Sequence, residues 1–224
     1  RGNSVLSKVK ISGGGRCNVT HAEFIPNVLA THYPRGEKEL KGPFHAFMTG
    51  DTVAWFESRG IPLKTEDDGR IFPVSNSAQT IIDCFLDEIQ KYGVTLMKNH
   101  SVQSIAPLEN GWQLETSKGL FSCQKLLIAT GSNPKIWKLL AALGLHIISA
   151  VPSLFTFDID DERIKDIPGV VAKNVYVEVL GTNLASDGPL LITHSGLSAP
   201  SILKLSAFGA IELAALNYCF DVKI

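Results

Sequence analysis

Leu126-Leu127-Ile128-Ala129-Thr130-Gly131 is the stretch on which the fold class turns. Its unbroken apolar run lacks the alternation of a half-exposed strand. It therefore predicts a strand over 125–130 covered on both faces, as in a parallel sheet. Thr130-Gly131 closes that strand with a small, open backbone at the carboxyl edge, where α/β proteins hold their ligands. Pro134 next predicts a helix over 134–143, since proline is tolerated in a first turn. The pattern reads as α/β.

Working outward from this stretch, short strands are expected at 94–98, 102–106, 112–116 and 120–123. The clearest helix runs over 78–92, where Ala78, Ile81, Ile82, Phe85, Leu86, Ile89 and Tyr92 share one face. Asn76 with Gln79 predicts a capping box at its start, and Gly93 its stop. A hairpin over 61–65 and 70–74 turns at Asp67-Asp68-Gly69. Residues 44–59 read as a helix broken at Gly50-Asp51-Thr52, with Asp51 as N-cap and Gly60 as terminator. Residues 19–42 read as irregular, punctuated by Pro26, Pro34 and Gly36. Past residue 150 strands are expected without long helices between them, at 155–159, 175–180 and 190–193. A helix over 198–216 and a strand from 220 close the chain.

The sequence has 224 residues, 45% of them hydrophobic, with a formal charge of −1. That suffices for a core without disulfides or metal, and excludes a disordered chain. Near-neutrality predicts no nucleic-acid partner, because such binders carry a basic excess. No apolar run reaches the roughly 20 residues of a spanning helix, so no membrane partner is expected. Cys17, Cys84, Cys123 and Cys219 are far apart and the six histidines are scattered, so no metal site is predicted. Free thiols and the absence of a targeting segment suggest a cytoplasmic protein, with an organelle matrix as the alternative. The first residue, Arg1, suggests that upstream sequence has been removed.

The sharpest local signal is Ser12-Gly13-Gly14-Gly15-Arg16-Cys17-Asn18. Three successive glycines free the backbone for φ > 0 and for close approach to a ligand. Its amides, with Arg16 beside them, suit a phosphate, a carboxylate or the polar edge of a heteroaromatic ring. The plain alternative is a tight turn with a surface arginine. Cys17 next to Arg16 has the makings of a low-pKa thiol, but packing in a crowded loop is the simpler reading. Glu66, Asp67 and Asp68 read as a solvated turn. Gly196-Leu197-Ser198-Ala199-Pro200 resembles a nucleophile elbow without its second glycine, and no histidine follows it. It reads instead as a helix start with Ser198 as N-cap.

Several of these stretches together resemble the aminoacetone-oxidase-like flavoproteins, which include 3-dehydro-bile-acid reductase-like enzymes. The resemblance rests on Lys8-Val9-Lys10-Ile11-Ser12-Gly13-Gly14-Gly15-Arg16-Cys17-Asn18, Asp68-Gly69-Arg70-Ile71-Phe72-Pro73, Ile128-Ala129-Thr130-Gly131 and Thr193-His194-Ser195-Gly196-Leu197-Ser198. It implies an FAD/NAD(P)-binding three-layer domain, here incomplete, with an inserted β-rich domain. The expected divisions are a partial FAD-binding domain at 1–149, the start of the insert at 150–194, and its continuation at 195–224. By similarity, Ser12, Gly13, Gly14, Gly15, Arg16, Cys17 and Asn18 would lie near the flavin. Val102 would meet the adenine through its backbone, and Ala129, Thr130 and Gly131 would line the dinucleotide.

The implied reaction is hydride exchange between NAD(P)H, FAD and a small organic substrate, with no catalytic acid or base identified. The family's opening strand, its GxGxxG-type turn and its C-terminal flavin segment have no counterpart here, so the chain is expected to be truncated at both ends. Surfaces exposed by that truncation would favour self-association. A non-catalytic remnant, kept as a structural or interaction domain without flavin, is the alternative.

Overall fold

The computed structural model describes residues 4–224 and divides the chain into two compact units, Arg1–Ile147 and Ile148–Ile224. Arg1, the residue behind the expectation of lost upstream sequence, lies outside the described residues.

In the first unit, helix α1 (Ser7–Ile11) runs into a 3-10 turn (Ser12–Gly15), followed by β1 (Thr20–His21), α2 (Pro26–Thr31), α3 (Glu37–Ala46) and α4 (Thr49–Glu57). Then come β2 (Leu63–Thr65), β3 (Arg70–Pro73), α5 (Ala78–Lys91), β4 (Val102–Leu108), β5 (Gly111–Thr116), β6 (Gly119–Cys123) and α6 (Pro134–Ala142). The predicted hairpin forms as β2 and β3, and β1 joins its free edge to give the order β1-β3-β2. The strands expected at 102–106, 112–116 and 120–123 form as β4, β5 and β6, which pair as an antiparallel meander. Helix α5 buries Ala78, Ile81, Ile82 and Cys84 along its apolar face. Cys17 and Cys84 belong to one buried cluster with Phe56, Ala78 and Ile81.

Five local expectations are corrected. Residues 19–42 hold α2 and the start of α3, because residues read as breakers are helix starters. Pro26 occupies the first turn of α2, and Glu37 and Glu39 supply negative charge at the N-terminus of α3. The helix of 44–59 breaks earlier, at extended Phe47 and Met48. Asp51 is then inside α4, where its carboxylate accepts from the Met48 N–H at 2.8 Å. Ser77, not Asn76, caps α5: its hydroxyl accepts from the Gln79 N–H, while Asn76 takes φ 54°. Residues 94–98 form no strand.

Residues 125–130 form no strand either, and Leu127 is 90% exposed. Every strand pairing among the described residues is antiparallel. A parallel strand needs a neighbour to complete its backbone hydrogen bonds, and no described strand lies beside this run.

The second unit contains β7 (Phe157–Asp158), α7 (Glu162–Lys165), β8 (Val171–Val179), β9 (Ala185–Ile192), β10 (Gly196–Ser198), α8 (Pro200–Phe208), α9 (Ala210–Ala215) and β11 (Val222–Lys223). Its sheet has the order β11-β8-β9-β10-β7. Val177 and Val179 of β8 point inward to meet Leu190, Leu197, Ile202, Leu205 and Leu213. Two buried serines are satisfied within this core. Ser201 donates to the Pro189 carbonyl at 2.9 Å, and Ser206 accepts from the Phe155 N–H at 3.0 Å. The sheet curls: Phe157 on edge strand β7 and Phe220, just before edge strand β11, meet edge to face at 5.0 Å. Ser198 is in β10 and does not cap α8. That position belongs to Ala199, at φ 81° and ψ 177°.

Candidate functional site

The 3-10 turn after α1 owes its shape to its glycines. Gly13, Gly14 and Gly15 take φ of 55°, 67° and 84°, the left-handed region open to glycine at little cost. Ser12 Oγ donates to the Val9 carbonyl at 2.8 Å, and the Cys17 N–H donates to the Ser12 carbonyl at 3.0 Å. These bonds fold the chain back on itself. The first two glycines serve different ends. A Cβ on Gly13 would lie 2.6 Å from the Asn18 nitrogen and 2.9 Å from Phe72 Cε1, whereas one on Gly14 would meet nothing within 4 Å. Gly13 is required by packing. Gly14 and Gly15 are exposed and present bare backbone outward.

Arg16 faces Glu66 across the turn, with Nη1 donating to Oε1 at 2.5 Å and Nη2 to Oε2 at 3.4 Å. Its guanidinium also stacks 4.0 Å above the Phe72 ring. The Arg16 hydrogen bond, reinforced by the Arg16 and Arg70 charges, holds the Glu66 carboxyl below its ordinary range. Arg16 therefore pins the turn to the β2–β3 hairpin, and its charge is already matched. Glu66, read from sequence as a solvated turn residue, is its partner. Only opposite charge signalled that pairing, across 50 residues.

Cys17 is 7% exposed and packs in the core, in line with its reading as a packing residue. In the same cluster, burial raises the Cys84 thiol pKa, as does the nearby Glu88 charge. With its amide nitrogen toward β1 and β3, Asn18 donates to the carbonyls of Thr20 at 2.8 Å and Ile71 at 3.2 Å.

Ala129, Thr130 and Gly131 lie exposed in an irregular segment ahead of α6. Gly131 takes φ 60°, and Asn133 caps α6 by accepting from the Lys135 N–H. A Cβ on Gly131 would stand 3.6 Å from Lys8 Nζ, so α1 borders the Gly131 segment. The two glycine signals thus adjoin the same short helix. Lys8, to which sequence reading gave no role of its own, puts an exposed cation beside Gly131. Val102 sits in a different sheet, opening β4 opposite Thr116.

The fit of these residues to a dinucleotide is partial. Bare backbone at Gly14 and Gly15 and an ammonium beside Gly131 suit a flat ring and an anionic linker. Arg16, held by Glu66, is not free for that task. Among the described residues no cluster of His, Cys, Asp and Glu could hold a metal ion. No described helix is long and apolar enough to cross a membrane.

This glycine turn and its α/β setting have a family counterpart. Residues 1–218 match the model of the HI0933-like protein Rossmann domain, and the chain belongs to that FAD-binding Rossmann family. It is 29% identical over 229 aligned positions to the ribosomal RNA dihydrouridine synthase of Escherichia coli strain K12, covering 97% of this chain and 56% of that protein. It is 23% identical to the ribosomal RNA dihydrouridine synthase of Haemophilus influenzae, covering 92% of this chain and 54% of that one. The chain thus spans about half the length of the curated relatives it matches. The match supports the broad flavoprotein family and the α/β class, and not the aminoacetone-oxidase branch in particular.

Proposed function

We propose that this chain is part of a flavin-dependent oxidoreductase that reduces a uracil ring in ribosomal RNA. The observation that carries this is the alignment of nearly the whole chain with the Escherichia coli enzyme named for that product. Dihydrouridine differs from uridine by one hydride and one proton added across the C5–C6 double bond. A bound FAD, once reduced by NAD(P)H as its proposed hydride source, would supply that hydride and return to its oxidised form, and the proton would come from an acid or solvent.

In this reading the exposed backbone of Gly14 and Gly15 approaches the cofactor, and Asn18 holds the end of the turn against β3. Lys8 balances phosphate charge beside Ala129, Thr130 and Gly131. Arg16 keeps the turn in place through Glu66. The residues 12–18 and 129–131 remain the cofactor-binding set, and Val102 is the proposed backbone contact to adenine. The division into a flavin-binding part and a β-rich part belongs to the same proposal. So does self-association, through exposed apolar residues such as Leu127, which sedimentation velocity reads directly.

An rRNA substrate replaces the expectation of no nucleic-acid partner that the charge of −1 suggested.

Two measurements test the reading. Titration with FAD, followed by flavin fluorescence, should saturate. Expression of the whole protein that carries this chain, in a bacterial strain lacking its own ribosomal RNA dihydrouridine synthase, should restore dihydrouridine in ribosomal RNA, as measured by mass spectrometry. Flavin binding without product would make the chain a flavoprotein with another substrate. No flavin binding would favour the non-catalytic alternative.

A further inference from the structure

The charge of −1 is the balance of two unlike parts. Residues 1–147 hold 16 Lys and Arg against 13 Asp and Glu, whereas residues 148–224 hold 5 against 9. The first unit is therefore net positive and the second net negative. Within the first unit the imbalance is local. Residues 4–22 and 116–147 contain no Asp or Glu, yet they carry six lysines and Arg16. Every carboxylate side chain of this unit falls between residues 23 and 115.

The two acid-free stretches meet in space. A Cβ on Gly131 would stand 3.6 Å from Lys8 Nζ, and Lys135 follows Gly131 by four residues in the first turn of α6. Lys138 lies one turn further along the same helix face. Lys8, Lys135 and Lys138 are all exposed. Among the described residues none of the three makes an ion pair. Cations between residues 23 and 115 differ: Arg59, Arg70 and Lys91 are each held by a carboxylate.

Lys135 also stands where helix electrostatics disfavours it. The first turn of α6 has no acidic residue. The partial positive charge of a helix N-terminus favours Asp or Glu there and repels a cation. This placement costs stability in the free chain, and an anion settling beside it would relieve the repulsion.

We propose that α6, through Lys135 and Lys138 and with Lys8 at its near end, carries the sugar–phosphate backbone of RNA. This rests on the ribosomal RNA reading above. It sets the nucleic acid beside Gly131, and so brings the base to be reduced next to the proposed cofactor segment. A total charge near zero is compatible with such a partner, because a polyanion meets this face and not the average of the chain.

The test is fluorescence anisotropy of a labelled oligouridylate titrated with the full chain over a range of salt. Each phosphate contact to single-stranded RNA contributes about 0.7 to the slope of log affinity on log salt. Lys135→Gln combined with Lys138→Gln should flatten that slope by about 1.4 and weaken binding about tenfold at low salt, with FAD binding at its wild-type level. Lys135→Glu should weaken RNA binding and yet raise the melting temperature, because it suits the helix end. A loss of binding through misfolding would lower both. As a control, Lys173→Gln with Lys204→Gln removes the same charge from the second unit and should leave RNA affinity unchanged. An unchanged slope in the Lys135 and Lys138 variant, an equal loss in the control, or no RNA binding by the wild-type chain would overturn the proposal. Product formation is read separately. RNA held by these lysines without dihydrouridine formation by the whole protein would refute the enzymatic reading and leave this surface standing. Full dihydrouridine formation by the whole protein carrying both substitutions would do the reverse.

Discussion

Arg16 and Glu66 join the glycine turn to the β2–β3 hairpin through paired hydrogen bonds, with the Phe72 ring beneath the guanidinium. Because the Glu66 pKa is lowered in the folded chain, the pair stabilises the fold above the ordinary carboxyl range. That contribution is lost as pH falls through the lowered value. A carbon-detected NMR titration should place the Glu66 midpoint below that of a free glutamate, and Arg16→Gln should move it back up. Glu66→Gln should remove this group's share of the acid-side slope in stability.

Gly13 and Gly14 differ in what a methyl group would meet, although both are left-handed. Gly14→Ala should cost about 1 to 2 kcal/mol, the penalty of φ > 0 for a residue with a Cβ. Gly13→Ala adds collision with the Asn18 nitrogen and should cost clearly more. Urea unfolding of both variants measures the difference. If Gly14→Ala folds and weakens FAD binding, the open backbone is the contact; unchanged binding would remove Gly14 from the site.

Ala199 lies at φ 81° and ψ 177°, a region occupied almost only by glycine. Ala199→Gly should therefore stabilise the chain by about 1 kcal/mol, relief of strain being partly offset by a freer unfolded state. Thermal unfolding reads the shift. A lower melting temperature would show that the Ala199 methyl packs usefully.

Ser206 is fully buried and bridges α8 to the segment before β7. Ser206→Ala would leave the Phe155 N–H without its acceptor, at a cost of about 1 to 3 kcal/mol. Chemical denaturation should show that loss, and amide exchange at Phe155 should accelerate.

The sequence disclosed those elements whose signals are local. The α5 apolar face, the β2–β3 turn and the separate strands β4, β5 and β6 each follow from a pattern within a dozen or so residues. The run at 126–130 misled because its composition describes how a strand would be buried but not whether a partner strand adjoins it. Helices α2 and α3 were hidden because proline and glycine mark starts as well as breaks. At the candidate site, the glycines were legible by type. Their separate uses, packing at Gly13 and exposure at Gly14, depend on Asn18 and Phe72 folding back. The pairings of Arg16 with Glu66 and of Lys8 with the Gly131 segment join parts of the chain too distant for spacing to reveal.

Cys17 and Cys84 share one buried cluster, whereas Cys219 is exposed and Cys123 half-buried. The chain therefore contains a graded set of natural labels for following how it comes apart. A thiol-modifying reagent should mark Cys219 first and Cys123 more slowly. It should reach Cys17 and Cys84 only when α5 separates from the glycine turn. The reaction rate at those two thiols would thus time the opening of the core beneath the glycine turn, with no label engineered into the chain.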